Sequence, residues 1–266
     1  MRLPSSSSFF ACGAGLDAST CGRFRPIVGP WTQLTVNGLC LARLVNLLLT
    51  SAGLRNETLQ QALRDMLGKP FAAADIVYIP TASVAEAGNH GWFVEDLNRV
   101  HGLGWREFNV LELNGLPRRM VRDRLLRADV VYASGGNHYH LARSISGNGL
   151  ADAFKEVLED RVYVGLSAGS MIFSRKLDER SAEVIGDVAD LHVLGAQTLE
   201  PPLGLFDWYL KPHLHSPDFP ERDDTWADRI AEKAHFPIYF IDDDTAVRVR
   251  GDETDIVSEG RWRFHP

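Results

Sequence analysis

From about residue 44 onward, short apolar runs alternate with longer stretches whose hydrophobic positions recur at helical spacing, which predicts an α/β fold. Leu44 to Thr50 reads as a first strand closed by Ser51-Ala52-Gly53, after which Asn56 is placed to cap a helix carrying Leu59, Leu63 and Met66 on one face. Ile76 to Ile79 is an apolar strand ended by Pro80, and a helix with Trp92, Phe93 and Leu97 follows it. Next come a strand around Phe108 to Leu113, an Arg-rich helix and a strand over Val130 to Ala133 that ends in Ser134-Gly135-Gly136-Asn137. Ala151 to Leu158 reads as helix, with Val162 to Leu166 and Pro237 to Ile241 as further strands. Apolar strands alternating with helices imply βαβ units: a three-layer αβα sandwich around a mostly parallel sheet. In such sheets function gathers in the loops beyond the carboxyl ends of the strands.

Two segments break the pattern. Residues 1–43 hold Ser, Gly, Pro and isolated aromatics without a sustained period, and are expected to form a loosely ordered extension ahead of a catalytic unit over 44–266. Residues 199–226 are dense in Pro, aromatics and His, and a loop so elaborate inside one domain is expected to be functional.

Composition narrows the functional classes. The content is 45% hydrophobic and 24% charged, typical of one globular unit with a sizeable core. A net charge of −7 disfavours nucleic acid and anionic membranes as partners. The densest basic run, Arg118, Arg119, Arg122, Arg124 and Arg127, recurs at helical spacing and reads as a solvated helix face. No apolar run approaches the roughly 20 residues that span a bilayer, and the apolar segment near the N-terminus is shorter than the roughly 7 residues of an export signal. The three cysteines, Cys12, Cys21 and Cys40, all precede residue 41, which fits a reducing, cytoplasmic setting.

The candidate chemistry starts at Gly165-Leu166-Ser167-Ala168-Gly169, directly after an apolar strand and before helix-compatible residues. A strand reversing into a helix there lifts the Ser167 hydroxyl out of the sheet, over N–H groups that favour developing negative charge. A serine nucleophile needs a base and a carboxylate that orients the base. His213, restrained by Pro212 in the proline-rich segment, is the candidate base, with His215 close by. Asp242, Asp243 and Asp244 stand at the end of an apolar strand, and Asp178, Asp187 and Asp190 remain alternatives for the carboxylate. The glycine loop offers backbone donors for an oxyanion, with Asn137 as a candidate substrate contact, while Lys211 and Arg222 suit a substrate carboxylate. His138, His140, His213 and His215 would hold zinc only if their loops converged, and i, i+2 spacing in loops is a weak ligand signature. No metal or other cofactor is expected.

Ser-Gly-Gly-Asn after one strand, Gly-Leu-Ser-Ala-Gly-Ser after the next, Leu-Gly-Leu-Phe-Asp-Trp-Tyr-Leu-Lys-Pro-His further on and Ile-Asp-Asp-Asp-Thr-Ala near the end together resemble the peptidase E (aspartyl dipeptidase) family. The resemblance runs from about residue 46 to 262. It implies a fold similar to class I glutamine amidotransferase domains (flavodoxin-like), with serine in place of the usual cysteine. It also implies Ser167 as nucleophile, His213 as base, Asp243 as the orienting acid, and Gly136 with Ala168 as the oxyanion hole. The implied activity is hydrolysis of dipeptides or short peptides, including those with an N-terminal Asp, by a monomer or homodimer acting on a small peptide substrate. Other readings are a cyanophycinase-like hydrolase of β-aspartyl bonds and a catalytically silent domain that binds a small metabolite. The chain departs from the family pattern at His138-Tyr139-His140, after the glycine loop, and at His215.

Overall fold

The computed structural model describes residues 45–266 and, upstream, the short antiparallel pairing of β1 (Thr35–Val36) with β2 (Leu39–Cys40). The expectation for residues 1–43 otherwise lies outside the described residues.

The centre of the molecule is a seven-stranded sheet built on β3 (Asn46–Thr50), β4 (Asp75–Ile79), β5 (Glu107–Val110), β6 (Val130–Ala133) and β7 (Val162–Leu166). These five run parallel to their neighbours in the order β3-β7-β6-β4-β5. Successive side chains on a strand point to opposite faces, and the core divides accordingly. Leu47, Leu49, Val77, Ile79, Val131, Ala133 and Tyr163 join one apolar cluster, and Leu48, Ile76, Tyr78, Val130, Tyr132, Val162 and Val164 join the other. Both sets are buried, which is why these strands read as continuous apolar runs.

Helices cover both faces. α1 (Glu57–Leu67) and α2 (Gly91–His101) lay Leu59, Leu63 and Val100 on the second cluster. α3 (Arg118–Arg127), α4 (His138–Gly147) and α5 (Ala151–Asp160) lay Val121, Leu125, Leu141, Ile145, Phe154 and Val157 on the first. As expected, Asn56 caps α1, its side chain accepting from the Leu59 N–H at 2.9 Å. The short α6 (Ala168–Met171) opens directly after β7, and α7 (Glu179–Ile185) and α8 (Val188–His192) follow.

The third strand in the apolar reading, Phe108 to Leu113, ends in the structure at Val110. Residues 138–147, left without an element by the sequence reading, form α4: His, Ser and Gly are poor helix formers, and the helix rests on the Asn137 cap and on buried Leu141, Ala142 and Ile145. The proline-rich segment holds β8 (Tyr209–Lys211), and α9 (Asp224–Ala231) begins at its end.

β8 pairs in parallel with β9 (Ile238–Ile241), and β12 (Trp262–His265) pairs antiparallel with β9 to make a second, three-stranded sheet. Tyr209, Leu214, Ala227, Ile230, Ile238 and Phe240 pack with Met171 beneath it. Between β9 and β12 the chain returns to the main sheet, where β10 (Thr245–Arg250) pairs antiparallel with β3 and β11 (Glu253–Ser258) pairs antiparallel with β10 at the edge.

Candidate active site

Two parallel pairings assemble the site. β3 and β7 match Thr50 to Leu166, so the next residues, Ser51 and Ser167, leave the main sheet side by side, and the Ser167 N–H donates to Thr50 O at 3.0 Å. In the small sheet β8 and β9 match Lys211 to Phe240, so His213 and Asp243 emerge from the same edge, and the Leu214 N–H continues the pairing to Ile241 O at 3.0 Å.

Ser167 sits at the turn with φ +46° and ψ −103°, a strained conformation for a side chain with a Cβ. The turn closes only because residue 169 lacks a side chain: a Cβ there would lie 2.4 Å from Ala133 O. His213 is also in the left-handed region, at φ +67°, and its ring stacks on Phe219 with centroids 4.7 Å apart.

The side chains form one line. His213 Nε2 lies 3.1 Å from Ser167 Oγ, and His213 Nδ1 lies 2.8 Å from Asp243 Oδ1. Asp243 is buried and takes three more donors: Ser51 Oγ at 3.0 Å on Oδ1, and Ser216 Oγ at 2.6 Å and Arg55 Nη1 at 3.1 Å on Oδ2. Burial alone would raise the Asp243 pKa, but its donors, His213 foremost, outweigh it and bring it down to about 2. Burial pushes the His213 imidazole below its ordinary value against the opposing pull of Asp243, so the ring is neutral and able to accept a proton at pH 7.

The other acids have separate tasks. Asp242 Oδ1 accepts from the Asp244 N–H and Thr245 Oγ1 within its own turn, and Asp178 caps α7. Buried Asp187 takes Lys211 Nζ at 2.5 Å. His215 lies 3.3 Å from Asp224.

A cleft of about 660 Å³ opens over Ser167 and is lined by Gly135, Gly136, His213 and Asp243 among others. Gly136 is at φ +122°, and a Cβ there would lie 2.3 Å from Ala82 O, so the loop after β6 can pack against the Ala82–Ser83 backbone only as glycine. Ala168 opens α6, where N–H groups have no intrahelical acceptor. Asn137 does not line the cleft: its Oδ1 accepts the His140 N–H at 2.8 Å and its Nδ2 donates to Asp190 O at 2.9 Å. Lys211 lines the cleft but is buried and bonded to Asp187, whereas Arg222 reaches the cleft with its guanidinium stacked 4.0 Å over Phe219. His138, which starts α4, is buried and bonds Tyr209 Oη at 3.1 Å, and burial pushes its pKa down to about 4.

Ser51, Ser216 and Arg55 were not singled out from the sequence. Ser51 carried a usable signal, since it ends the strand that a parallel sheet sets beside β7; Ser216 and Arg55 carried none.

A cleft beyond the carboxyl ends of a parallel sheet is where enzymes of this architecture hold their substrates, and sequence likeness gives the class, a peptidase. A sequence model of peptidase family S51 matches residues 47–257, and the chain belongs to that family. An uncharacterized peptidase of Pasteurella multocida (strain Pm70) is 26% identical over 183 residues, covering 68% of this chain and 84% of the relative. A probable alpha-aspartyl dipeptidase of Drosophila melanogaster is 26% identical over 224 residues, covering 80% of this chain and 86% of the relative. Among solved structures, a candidate peptidase E from Listeria monocytogenes EGD-e superposes with TM-score 0.66 at 21% identity, covering 82% of this chain and all, 100%, of that one. A peptidase from an acI-B1 Actinobacterium gives TM-score 0.60 at 20% identity over 84% of this chain and 92% of its own. The fold is therefore the flavodoxin-like, amidotransferase-like αβα sandwich of those proteins. Among the described residues no helix is long and apolar enough to cross a membrane.

Proposed function

We propose that the chain is a serine exopeptidase that cleaves dipeptides or short peptides through an acyl-enzyme, with residues 44–266 as its catalytic unit. The observation that carries this reading is the unbroken line of hydrogen bonds from Ser167 through His213 to Asp243. Ser167 Oγ attacks the peptide carbonyl while His213 Nε2 takes its proton. The same nitrogen then hands that proton to the leaving amine, and water, deprotonated by His213, hydrolyses the ester. Asp243 holds the Nδ1–H tautomer and stabilises the imidazolium formed in each half-reaction. The N–H groups of Gly136 and Ala168 serve as the oxyanion hole, each worth about 3 kcal/mol in the transition state at the magnitude usual for such donors.

Arg222 is the cation suited to a substrate carboxylate, because the Lys211 ammonium is committed to Asp187. An N-terminal Asp is the first side chain to test, in keeping with the name of the Drosophila relative. The experiment is hydrolysis of a dipeptide library, including α- and β-aspartyl members, by the wild type and Ser167→Ala, together with fluorophosphonate labelling. Turnover and labelling that both vanish in Ser167→Ala are expected, with α-linked substrates preferred. Undiminished turnover by Ser167→Ala would refute the nucleophile. Exclusive cleavage of β-aspartyl bonds would transfer the enzyme to the cyanophycinase-like reading.

A further inference from the structure

Beside the glycine loop the cleft carries an acidic corner that the chemistry above leaves unused. Glu86, Asp187 and Asp190 all line the cleft. The Asp187 side chain is only 9% exposed; Oδ1 is taken by Lys211, but Oδ2 has no hydrogen-bond partner among the described residues. A buried carboxylate oxygen left without a donor is costly, and Asp187 is itself part of the cleft wall. Among the described residues neither Glu86 nor Asp190 has a side-chain hydrogen bond or ion pair. Burial, then the charges of Asp187 and Glu86, hold the Asp190 pKa up at about 6 even against the opposing pull of Lys211 and Arg222, an environment that an added cation would relieve further.

Position identifies the cation. Asn137, the residue directly after Gly136, donates to Asp190 O at 2.9 Å, so the corner is tied to the loop proposed to hold the scissile carbonyl. In a peptide cut after its first residue, the α-ammonium is separated from that carbonyl carbon by Cα alone. A pocket for it must therefore adjoin the oxyanion loop.

We propose that Glu86, Asp187 and Asp190 form the subsite that binds the α-ammonium of the substrate's N-terminal residue. The inference rests on the peptidase reading above and deepens it: the N–H donors of the ammonium go to Asp187 Oδ2 and to the two unpaired carboxylates. A blocked N-terminus supplies no charge and leaves all three acids as they are. The subsite thus makes the enzyme act from the amino end of its substrates.

The test is binding to Ser167→Ala, measured by calorimetry with a panel of Xaa-Leu dipeptides and their N-acetyl counterparts. The best free dipeptide is expected to bind at least about tenfold more tightly than its acetylated form. Adding Glu86→Gln and Asp190→Asn should bring the two within about threefold by weakening only the free form. Asp187→Asn, which keeps an oxygen for Lys211 but can turn an amide toward the ammonium, should do the same. Equal affinity for free and acetylated peptides, no binding by any panel member, or a preference that survives in folded acid variants would overturn the subsite. Failure of the serine-peptidase reading is distinct: it appears as wild-type Ser167 resisting fluorophosphonate, whatever Ser167→Ala binds.

Discussion

Ser51 Oγ bridges the base and its acid, accepting the His213 backbone N–H at 2.8 Å while donating to Asp243 Oδ1 at 3.0 Å. The hydroxyl therefore fixes both the strained backbone of His213 and the carboxylate that aims its ring. Ser51→Ala removes both bonds and leaves a buried N–H and one carboxylate lone pair unanswered. We expect kcat to fall about tenfold with KM little changed, at a stability cost of about 1–3 kcal/mol, read by steady-state kinetics and thermal melting. An unchanged kcat would show that Ser51 only packs.

Asp243→Asn tests the acid directly. Asn matches the shape, but its amide faces donors from His213, Ser51, Ser216 and Arg55, so the ring loses the acceptor that holds Nδ1 protonated. kcat should drop on the order of a thousandfold or more while the fold persists. A loss under about tenfold would hand the orienting role to another group.

The pH profile follows from the His213 environment. The base must be neutral to accept the Ser167 proton, and burial lowers its pKa against the raising influence of Asp243. Activity should therefore fall as the pH drops, with the acidic limb of kcat/KM centred below the ordinary imidazole value of about 6.5. Removing the Asp243 charge should shift the residual limb further toward acid, since the attraction that favours the imidazolium is gone. A limb at or above about 7 would contradict this environment.

Much of this arrangement was legible in the sequence because its signals are local. Buried parallel strands must be apolar throughout, so β4, β6 and β7 announce themselves, and a tight strand-to-helix turn demands small residues around Ser167. His213 and the acids Asp242 to Asp244 could be read locally as candidates, but the pairing of His213 with Asp243 in particular came through the likeness of four motifs to a known family. Its physical cause, the three-residue parallel match of β8 with β9, spans too few positions to produce a period. Ser216 has no local mark at all, and Ser51 is marked only by its place at the end of β3, since a buried serine beside a carboxylate is defined by partners 27 and 192 residues away. Asn137 shows the converse: its position in the glycine loop suggests a substrate contact, yet its side chain caps α4 and ties Asp190 to that loop.

Lys211 and Asp187 offer a last, separable test, because both are almost fully buried at one wall of the cleft. Their attraction offsets the cost of taking two charges out of water, and neither is tolerable alone. Lys211→Met leaves Asp187 ionised without its partner, and Oδ1 joins Oδ2 as an orphan, so a loss of about 3–5 kcal/mol is expected. Lys211→Met combined with Asp187→Leu removes both charges and should recover most of that stability, since apolar replacements of buried pairs are often close to neutral. Chemical denaturation of the single and double variants measures the difference. The double variant should nevertheless bind free-amine dipeptides poorly, because the Asp187 carboxylate is lost while stability is regained. If the double variant is as unstable as Lys211→Met, the pair is not what holds this wall together, and the packing of Tyr209 and Trp226 around it must carry that role instead.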